Sequence, residues 1–592
     1  MISSPASIVQ RPIGHGLRAD DLSRLLDIGA ARSPDARFQA LLQPEHVLRA
    51  ADLRDRARQV AARLHDHGVG AGEVVGLLLP NSLEFVCAAF GILRSGAALA
   101  PLAVPAGSRN LPVSLARLIH IIRDAGIRHV VTAAELGDAA VAAGLDVTIH
   151  TPASLLCGEP ARVEAAVGAD DVALVQYTSG STARPKGAAL THRQVTSGVA
   201  AIIDAAQVSA SDTLCSWLPM SHDMGFIGLL VCAQAGADLQ FSPPSAFIKR
   251  PQAWLEAFAA VAGTLYAGPS FSFQYLIDAF DDASRTTIDL RRWRLALNGA
   301  ERVDPEVIER FTWHFAASGF AREAMFPVYG LAEATLAVTF PALGTAPRTE
   351  WVDRSALANE RLAREVPRGA GGARGVVCVG RPLPGLELRI VTSTGGLVPR
   401  PTGTAAWAPT PVDSTAIHAL PERHVGEIEV RGASVMAGYH RSPDATAAVL
   451  RDGWLSTGDL GYVAGGELFI TGRSKEVMKL HGHSYFPEDI EALVRELSGV
   501  HRQRCVAFVV SKADRERMAV VVETELSDGD ALASLAARAR REITHHAGID
   551  AFDVYLADPG SILVTTSGKY QRLAMRERVE TGAIASCVRG AP

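Results

Sequence analysis

The chain has 592 residues, of which 48% are hydrophobic and 20% charged, and a net charge of -5. That length exceeds what one core supports and implies two or more domains, in a composition typical of soluble globular proteins. The weakly acidic balance gives no basis for nucleic-acid binding, and no apolar run reaches membrane-spanning length.

The opening MISSPASIVQRPIGHG lacks the charged and apolar parts of a signal peptide, so a cytoplasmic protein is expected. Residues 48–67 read as an amphipathic helix with Arg on its outer face, 73–79 as a strand, and 82–93 as a helix stopped by Gly96. Val130 opens another strand, and the alternation recurs from 171 to 340. Strand-helix alternation of this kind implies mainly parallel sheets covered by helices.

From about 375 the texture changes to short strands with Gly/Pro turns, as in VVCVGRPLPGLELRIV and GELFITG. Residues 395–425 are rich in Pro, Thr and Ala and read as a mobile loop. Beyond Arg473 come a helix at 487–497, strands at 505–510 and 518–524, and an Arg-rich helix at 530–546. The expected fold is α/β: a large domain, 1–472, of two layered α/β subdomains plus a β-barrel-like subdomain at about 375–472, and a small mobile α+β domain, 473–592.

The polar stretch YTSGSTARPKGAAL at 177–190 leaves an apolar strand, and such a turn can present backbone N–H groups, hydroxyls and Lys186 to phosphate oxygens, the alternative being an ordinary surface turn. Its spacing does not match the Walker A pattern, so a P-loop NTPase is excluded. The seven cysteines have neither CxxC spacing nor a histidine at ligand spacing, so reduced core thiols are expected. Only six of the 58 basic residues are Lys, at 186, 249, 475, 479, 512 and 569. A Lys kept in an Arg-rich chain marks places where a compact ammonium is needed.

YTSGSTARPKG, LPMSHDMG at 218–225, VYGLAEAT at 328–335, STGDLG at 456–461, GRSKEVMKLHGHSYFPEDIE at 472–491 and TTSGK at 565–569 together resemble the adenylate-forming superfamily. Within it the chain is most similar to fatty acyl-AMP ligases, through HDMG, WRLALNGAERV at 293–303, Ala332 in YGLAEAT, and extra sequence around 343–374. The resemblance implies that ATP and Mg2+ convert a fatty acid to acyl-AMP and pyrophosphate, with the acyl group then passed to the phosphopantetheine of an acyl carrier protein. In that branch an insertion near 343–374 hampers the rearrangement needed for transfer to coenzyme A.

The resemblance also assigns roles. Thr178, Ser179, Gly180, Ser181, Thr182 and Lys186 match the phosphate-binding loop, with Thr178 and Glu333 at the Mg2+. Asn298, Gly299, Ala300 and Glu301 line the adenine, on which Tyr329 stacks, beside Gly330, Leu331 and Ala332. Asp459 takes the ribose hydroxyls, and Arg473 assists at the domain junction. Lys569 is the catalytic lysine, Lys475 the hinge, His222 the gate of the acyl pocket, and Gly482 lines the pantetheine path.

The acyl pocket is expected between 218–228 and 266–276, with Tyr266 shortening it. Arg538, Arg540 and Arg541 offer either a docking face for an acidic carrier or a solvated face. HGHSYFPEDIE departs from the branch's usual RGRNHYPQDIE and weakens the case against coenzyme A. Two rivals therefore stand beside the main reading: an acyl- or aryl-CoA ligase, and an inactive AMP-binding scaffold protein.

Overall fold

The computed structural model describes residues 9–10, 21–105, 111–142, 144–158, 167–178, 185–392, 419–480, 483–512, 515–550, 552–564, 570–584 and 587–588. Two seven-stranded sheets dominate its first part. In one, Val172–Thr178, Ala98–Pro101, Val74–Leu78, His129–Thr132 and Thr148–His150 run parallel. Lys186–Thr191 turns back antiparallel on Val172–Thr178, and Gly438–Tyr439 closes that edge. The other sheet aligns Met325–Pro327, Leu295–Asn298, Leu265–Gly268, Thr213–Ser216, Asp238–Phe241 and Arg37–Ala40 in parallel. Runs such as VVGLL are apolar on both faces because helices cover both sides.

The helix expected at 48–67 spans Ala50–Asp66, since Gln43–Arg49 is drawn into the sheet edge against Arg37–Ala40. Its buried stripe, Leu53, Ala57, Val60 and Leu64, packs toward the helix Leu83–Arg94, which Ser82 caps by accepting from the Phe85 amide at 3.1 Å.

The β-rich part is a six-stranded antiparallel sheet that includes Leu386–Val391, Gly426–Gly432, Trp454–Ala464 and Glu467–Arg473. Val9–Gln10 joins its edge, so the sheet draws on the N-terminus as well as on 375–472. Most of the expected mobile loop, 393–418, lies outside the described residues. The rest is held: the Leu420 amide donates to the Ile390 carbonyl at 2.8 Å, and Arg423 pairs with Glu350 at 3.2 Å.

Beyond Arg473, Cys505–Lys512, Arg515–Glu523, Phe552–Ala557 and Cys587–Val588 form one sheet, with helices Pro487–Arg495, Gly529–Ala547 and Arg572–Glu580. A separate core gathers there around Val494, Val520, Leu535 and Ile543. Asp489 ties this region back to the preceding residues, lying 3.0 Å from Arg374 Nε and 3.4 Å from Arg302 Nη1. Of the described cysteines, 87, 215, 232, 378 and 505 are buried, whereas Cys157 is exposed, contrary to the expectation of core thiols throughout. Among the described residues no helix is long and apolar enough to cross a membrane.

Candidate active site

The segment Tyr329–Thr335 makes a tight turn, closed by the Leu331 amide donating to the Leu336 carbonyl at 2.7 Å. A Cβ on Gly330 would lie 1.8 Å from that same carbonyl oxygen, so only glycine fits. Thr335 follows at φ +69°, a conformation that a β-branched residue seldom adopts. Its hydroxyl compensates by donating to the Ser434 carbonyl at 2.8 Å, and Gly198 leaves room for its methyl group. The strained turn presents Glu333, whose Oε1 accepts from the Tyr439 hydroxyl at 2.9 Å. Burial raises the Glu333 carboxyl above its ordinary value, and the Tyr439 hydrogen bond opposes this.

Asp459 and Arg473 are directly opposed in the antiparallel pair of Trp454–Ala464 with Glu467–Arg473. Register therefore delivers the ion pair, with Arg473 Nε 2.9 Å from Asp459 Oδ1. The other carboxylate oxygen accepts from the Tyr329 hydroxyl at 2.7 Å. Burial and the Asp459 charge push the Tyr329 hydroxyl well up, so it stays a donor. Asp459 in turn keeps the Arg473 guanidinium charged, above its usual range. One carboxylate thus holds two partners from distant segments.

His222 precedes the helix Asp223–Ala235, with Nδ1 2.5 Å from Asp223 Oδ1. Lys186 lies opposite Thr178 in the hairpin, its Nζ 5.0 Å from the centre of the Tyr439 ring. Asn298 is fully buried, its Oδ1 accepting from the Ser270 hydroxyl at 3.0 Å, whereas Ala300 and Glu301 face the open space. Ser179, Gly180, Ser181, Thr182, Gly482 and Lys569 lie outside the described residues.

A cavity of about 1770 Å³ collects most of these groups, though Lys186, Asn298 and Tyr439 are not in its lining. Thr178, His222, Tyr329, Glu333, Asp459, Arg473 and Lys475 all line it. An apolar arm continues inward past Ile227, Gly228 and Val231 to Ile202, Ala206, Leu214 and Leu295. The arm uses Ala267 and parts of 218–228 as expected, but Tyr266 does not narrow it. Alternation along Leu265–Gly268 turns Tyr266 to the other face, where its hydroxyl accepts from Trp217 Nε1 at 2.9 Å and donates to the Ser272 hydroxyl at 2.7 Å.

Other residues escaped the sequence reading. Tyr439 holds Glu333 from an edge strand more than a hundred positions away, and nothing in GYH marks it. Gln176 donates to the Ser221 carbonyl at 3.1 Å beside His222, and its Oε1 is buried with no partner among the described residues. The extra segment 343–374 contains the strand Thr349–Asp353, which pairs with Ala373–Val377 at the segment's end, and its Asn359 Oδ1 accepts from the Ser484 amide at 2.9 Å. Arg538 and Arg540 are engaged within the fold, donating to the carbonyls of Ser498 at 2.6 Å and Phe552 at 3.1 Å. Both therefore have partners within the fold.

A deep cleft between α/β layers, with paired charges at its mouth and an apolar arm behind, defines an enzyme that brings a polar and an apolar substrate together. The chain belongs to the AMP-binding enzyme family, whose model matches residues 27–440. It is 31% identical over 557 residues to the medium-chain-fatty-acid acyl-carrier-protein ligase JamA of Moorena producens, covering 90% of each chain. It is 30% identical over 564 residues to 4-hydroxyphenylalkanoate adenylyltransferase of Mycobacterium tuberculosis, covering 88% of this chain and 84% of that protein. A structure from a study of fatty acyl-adenylate ligases from E. coli and L. pneumophila superposes with a TM-score of 0.86 at 29% identity, covering 96% of this chain and 99% of the other. The family resemblance read from the motifs and the expected α/β class are borne out.

Proposed function

We propose that this enzyme activates a fatty acid with ATP, forming acyl-AMP and pyrophosphate, and then delivers the acyl group to the phosphopantetheine thiol of an acyl carrier protein. The observation that carries the reading is the continuity of one cavity from the Asp459–Arg473–Tyr329 cluster to the apolar arm. A carboxylate lying in that arm has its reactive end among the polar groups and its chain in an apolar slot. The carboxylate oxygen attacks the α-phosphorus, the bond from that phosphorus to the bridging oxygen breaks, and pyrophosphate leaves.

Two anions must meet, so positioning and charge neutralisation supply most of the acceleration. Asp459 binds the ribose hydroxyls, oriented by its contacts with Arg473 and Tyr329. Lys186 and the hydroxyls of 178–182 receive the phosphates. Lys569, on the segment before Arg572, brings an ammonium to the oxygens around the reacting centre. Glu333 and Thr178 offer hard oxygen donors from one cavity, which fits Mg2+, a cation that keeps several waters and binds phosphates beside one or two carboxylates. When bound, Mg2+ offsets phosphate charge.

In this reading the chain divides into a large domain, 1–472, and a small domain, 473–592, turning about Lys475 between activation and transfer. The contacts of Asp489 and Asn359 across that division support a restrained small domain and thus a carrier-protein acceptor over coenzyme A. The test is pyrophosphate release with a panel of acids, followed by product analysis with coenzyme A against holo-carrier protein. Thioester formed on coenzyme A alone would overturn the acceptor, and no acid-dependent release would overturn the activity.

A further inference from the structure

The far end of the apolar arm is closed. Its lining there comes from Ala206 at the end of the helix His192–Ala206 and Val208 just after it, and from Leu214, Leu265 and Leu295 at the starts of three parallel strands. None of the five is more than 8% exposed.

Behind them sits a polar bolt. Arg294 donates to Asp212 through Nε at 2.7 Å and Nη2 at 2.8 Å, and to the carbonyls of Ala206 at 2.9 Å and Gln207 at 3.1 Å. Those carbonyls are helix-terminal acceptors that the helix leaves unpaired, and a guanidinium suits them in charge as well. Asp212 also accepts from the Thr264 hydroxyl at 2.8 Å and the Ser209 amide at 2.9 Å. One side chain therefore pins the helix end to the strands that form the floor.

Two glycines on the helix Asp223–Ala235 show how the side wall is built. A Cβ on Gly225 would lie 2.2 Å from the Pro219 carbonyl oxygen, so packing demands glycine. A Cβ on Gly228 would meet only the Leu214 Cδ2 methyl, at 3.2 Å. Its missing side chain faces the arm and leaves it wide near the floor.

We propose that Gly228, the floor residues and the Arg294–Asp212 bolt set an upper limit on acyl chain length, making the substrate a straight-chain acid on the order of ten carbons by the depth estimate that follows. The strand Leu295–Asn298 runs alongside the arm, its three steps giving about 10 Å of depth to Leu295, and the turn beyond Asn298 lengthens this toward the polar cluster. An extended hydrocarbon advances roughly 1.3 Å per carbon, given single bonds of about 1.5 Å, and the leucine side chains on the floor remove part of that depth. The inference rests on the fatty-acid reading above.

The test measures kcat/KM for pyrophosphate release by the full-length enzyme over linear acids, taking the ratio of about fourteen carbons to about eight as the readout. Gly228→Leu fills the arm and is expected to lower that ratio about tenfold or more, the discrimination one or two misplaced methylenes produce. Leu214→Ala deepens the floor and Arg294→Ala unbolts it, and each raises the ratio. A wild-type enzyme with no fall in kcat/KM beyond the expected length overturns the proposal, as does a ratio within about twofold of wild type in both Gly228→Leu and Leu214→Ala. No release by the wild type with any linear acid would instead remove the fatty-acid reading beneath it.

Discussion

Arg572→Gln is the most searching perturbation of the region after Arg473. Arg572 places Nη1 2.6 Å from Glu476 Oε2, and Nη2 2.9 Å from both Glu491 oxygens and 3.4 Å from Glu488 Oε1. Its side chain is 12% exposed and that of Glu491 2%, so little water shares the load. Glutamine keeps the bulk but leaves three carboxylates without their common counter-charge. Removing one partner of a buried ionic network costs about 3 to 5 kcal/mol.

At roughly 2.1 cal/mol/K per residue, that loss lowers Tm by about 2 to 4 °C if the whole chain melts together, and several times more if 473–592 melts alone. The pH dependence is diagnostic. Burial pushes Glu476 and Glu491 upward against the pull of Arg572, and without the guanidinium they rise further, so their ionisation costs the variant stability as pH rises. Glu488 is opposed by burial but held down, by Arg572 and then Arg302, so the wild type draws stability from it above its ordinary range and loses that as pH falls. Both signs make the gap between wild type and variant narrow in acid. Differential scanning calorimetry at about pH 8 and about pH 4, on either side of the ordinary glutamate value of about 4.3, reads it directly. An unchanged melting profile, or a gap that widens in acid, refutes the reasoning. Arg572 also follows Lys569 by three positions and grips Glu476 beside Lys475, so adenylation rate is expected to fall more than ATP affinity.

Three further outcomes are expected. Lys569→Ala nearly abolishes acyl-AMP formation while leaving the Kd for ATP within several-fold, and unchanged single-turnover adenylation would remove its role. Tyr329→Phe deletes one hydrogen bond to Asp459, worth about 1.5 to 3 kcal/mol to a charged acceptor, and raises the KM for ATP by about tenfold or more in steady-state assays. Because burial raises Glu333, it takes up a proton above the ordinary value of 4.5 as pH falls, so kcat/KM loses activity on an acid limb lying above that value. Glu333→Gln abolishes the limb along with most turnover, and a pH-rate profile with its limb at or below 4.5 contradicts the assignment.

Much of this protein was legible locally. Strand-helix alternation, the hydroxyl-rich stretch that follows the strand ending at Thr178 and the ordered motifs each depend on neighbours in the chain, and periodicity or spacing records them. The family and the α/β class followed from these alone. Local pattern misled where a long-range partner outbid it. Gln43–Arg49 became a strand because a sheet edge offered it hydrogen bonds, and Tyr266 turned away from the arm because one step along a strand reverses the face.

Only the tertiary structure decided which charges meet. Asp459 meets Tyr329 from 130 positions away, and Arg572 joins Glu476 from 96. Tyr439 finds Glu333 across 106 positions, and Arg294 bolts Asp212 across 82. Such pairs form because sheet register and packing bring remote segments within hydrogen-bond distance, and one chain read in order carries no trace of that distance. The motifs, through their resemblance to the adenylate-forming family, indicated what kind of chemistry this protein was built for. The depth of its arm, the floor that closes it and the partners that tune its carboxylates exist only once the layers have packed.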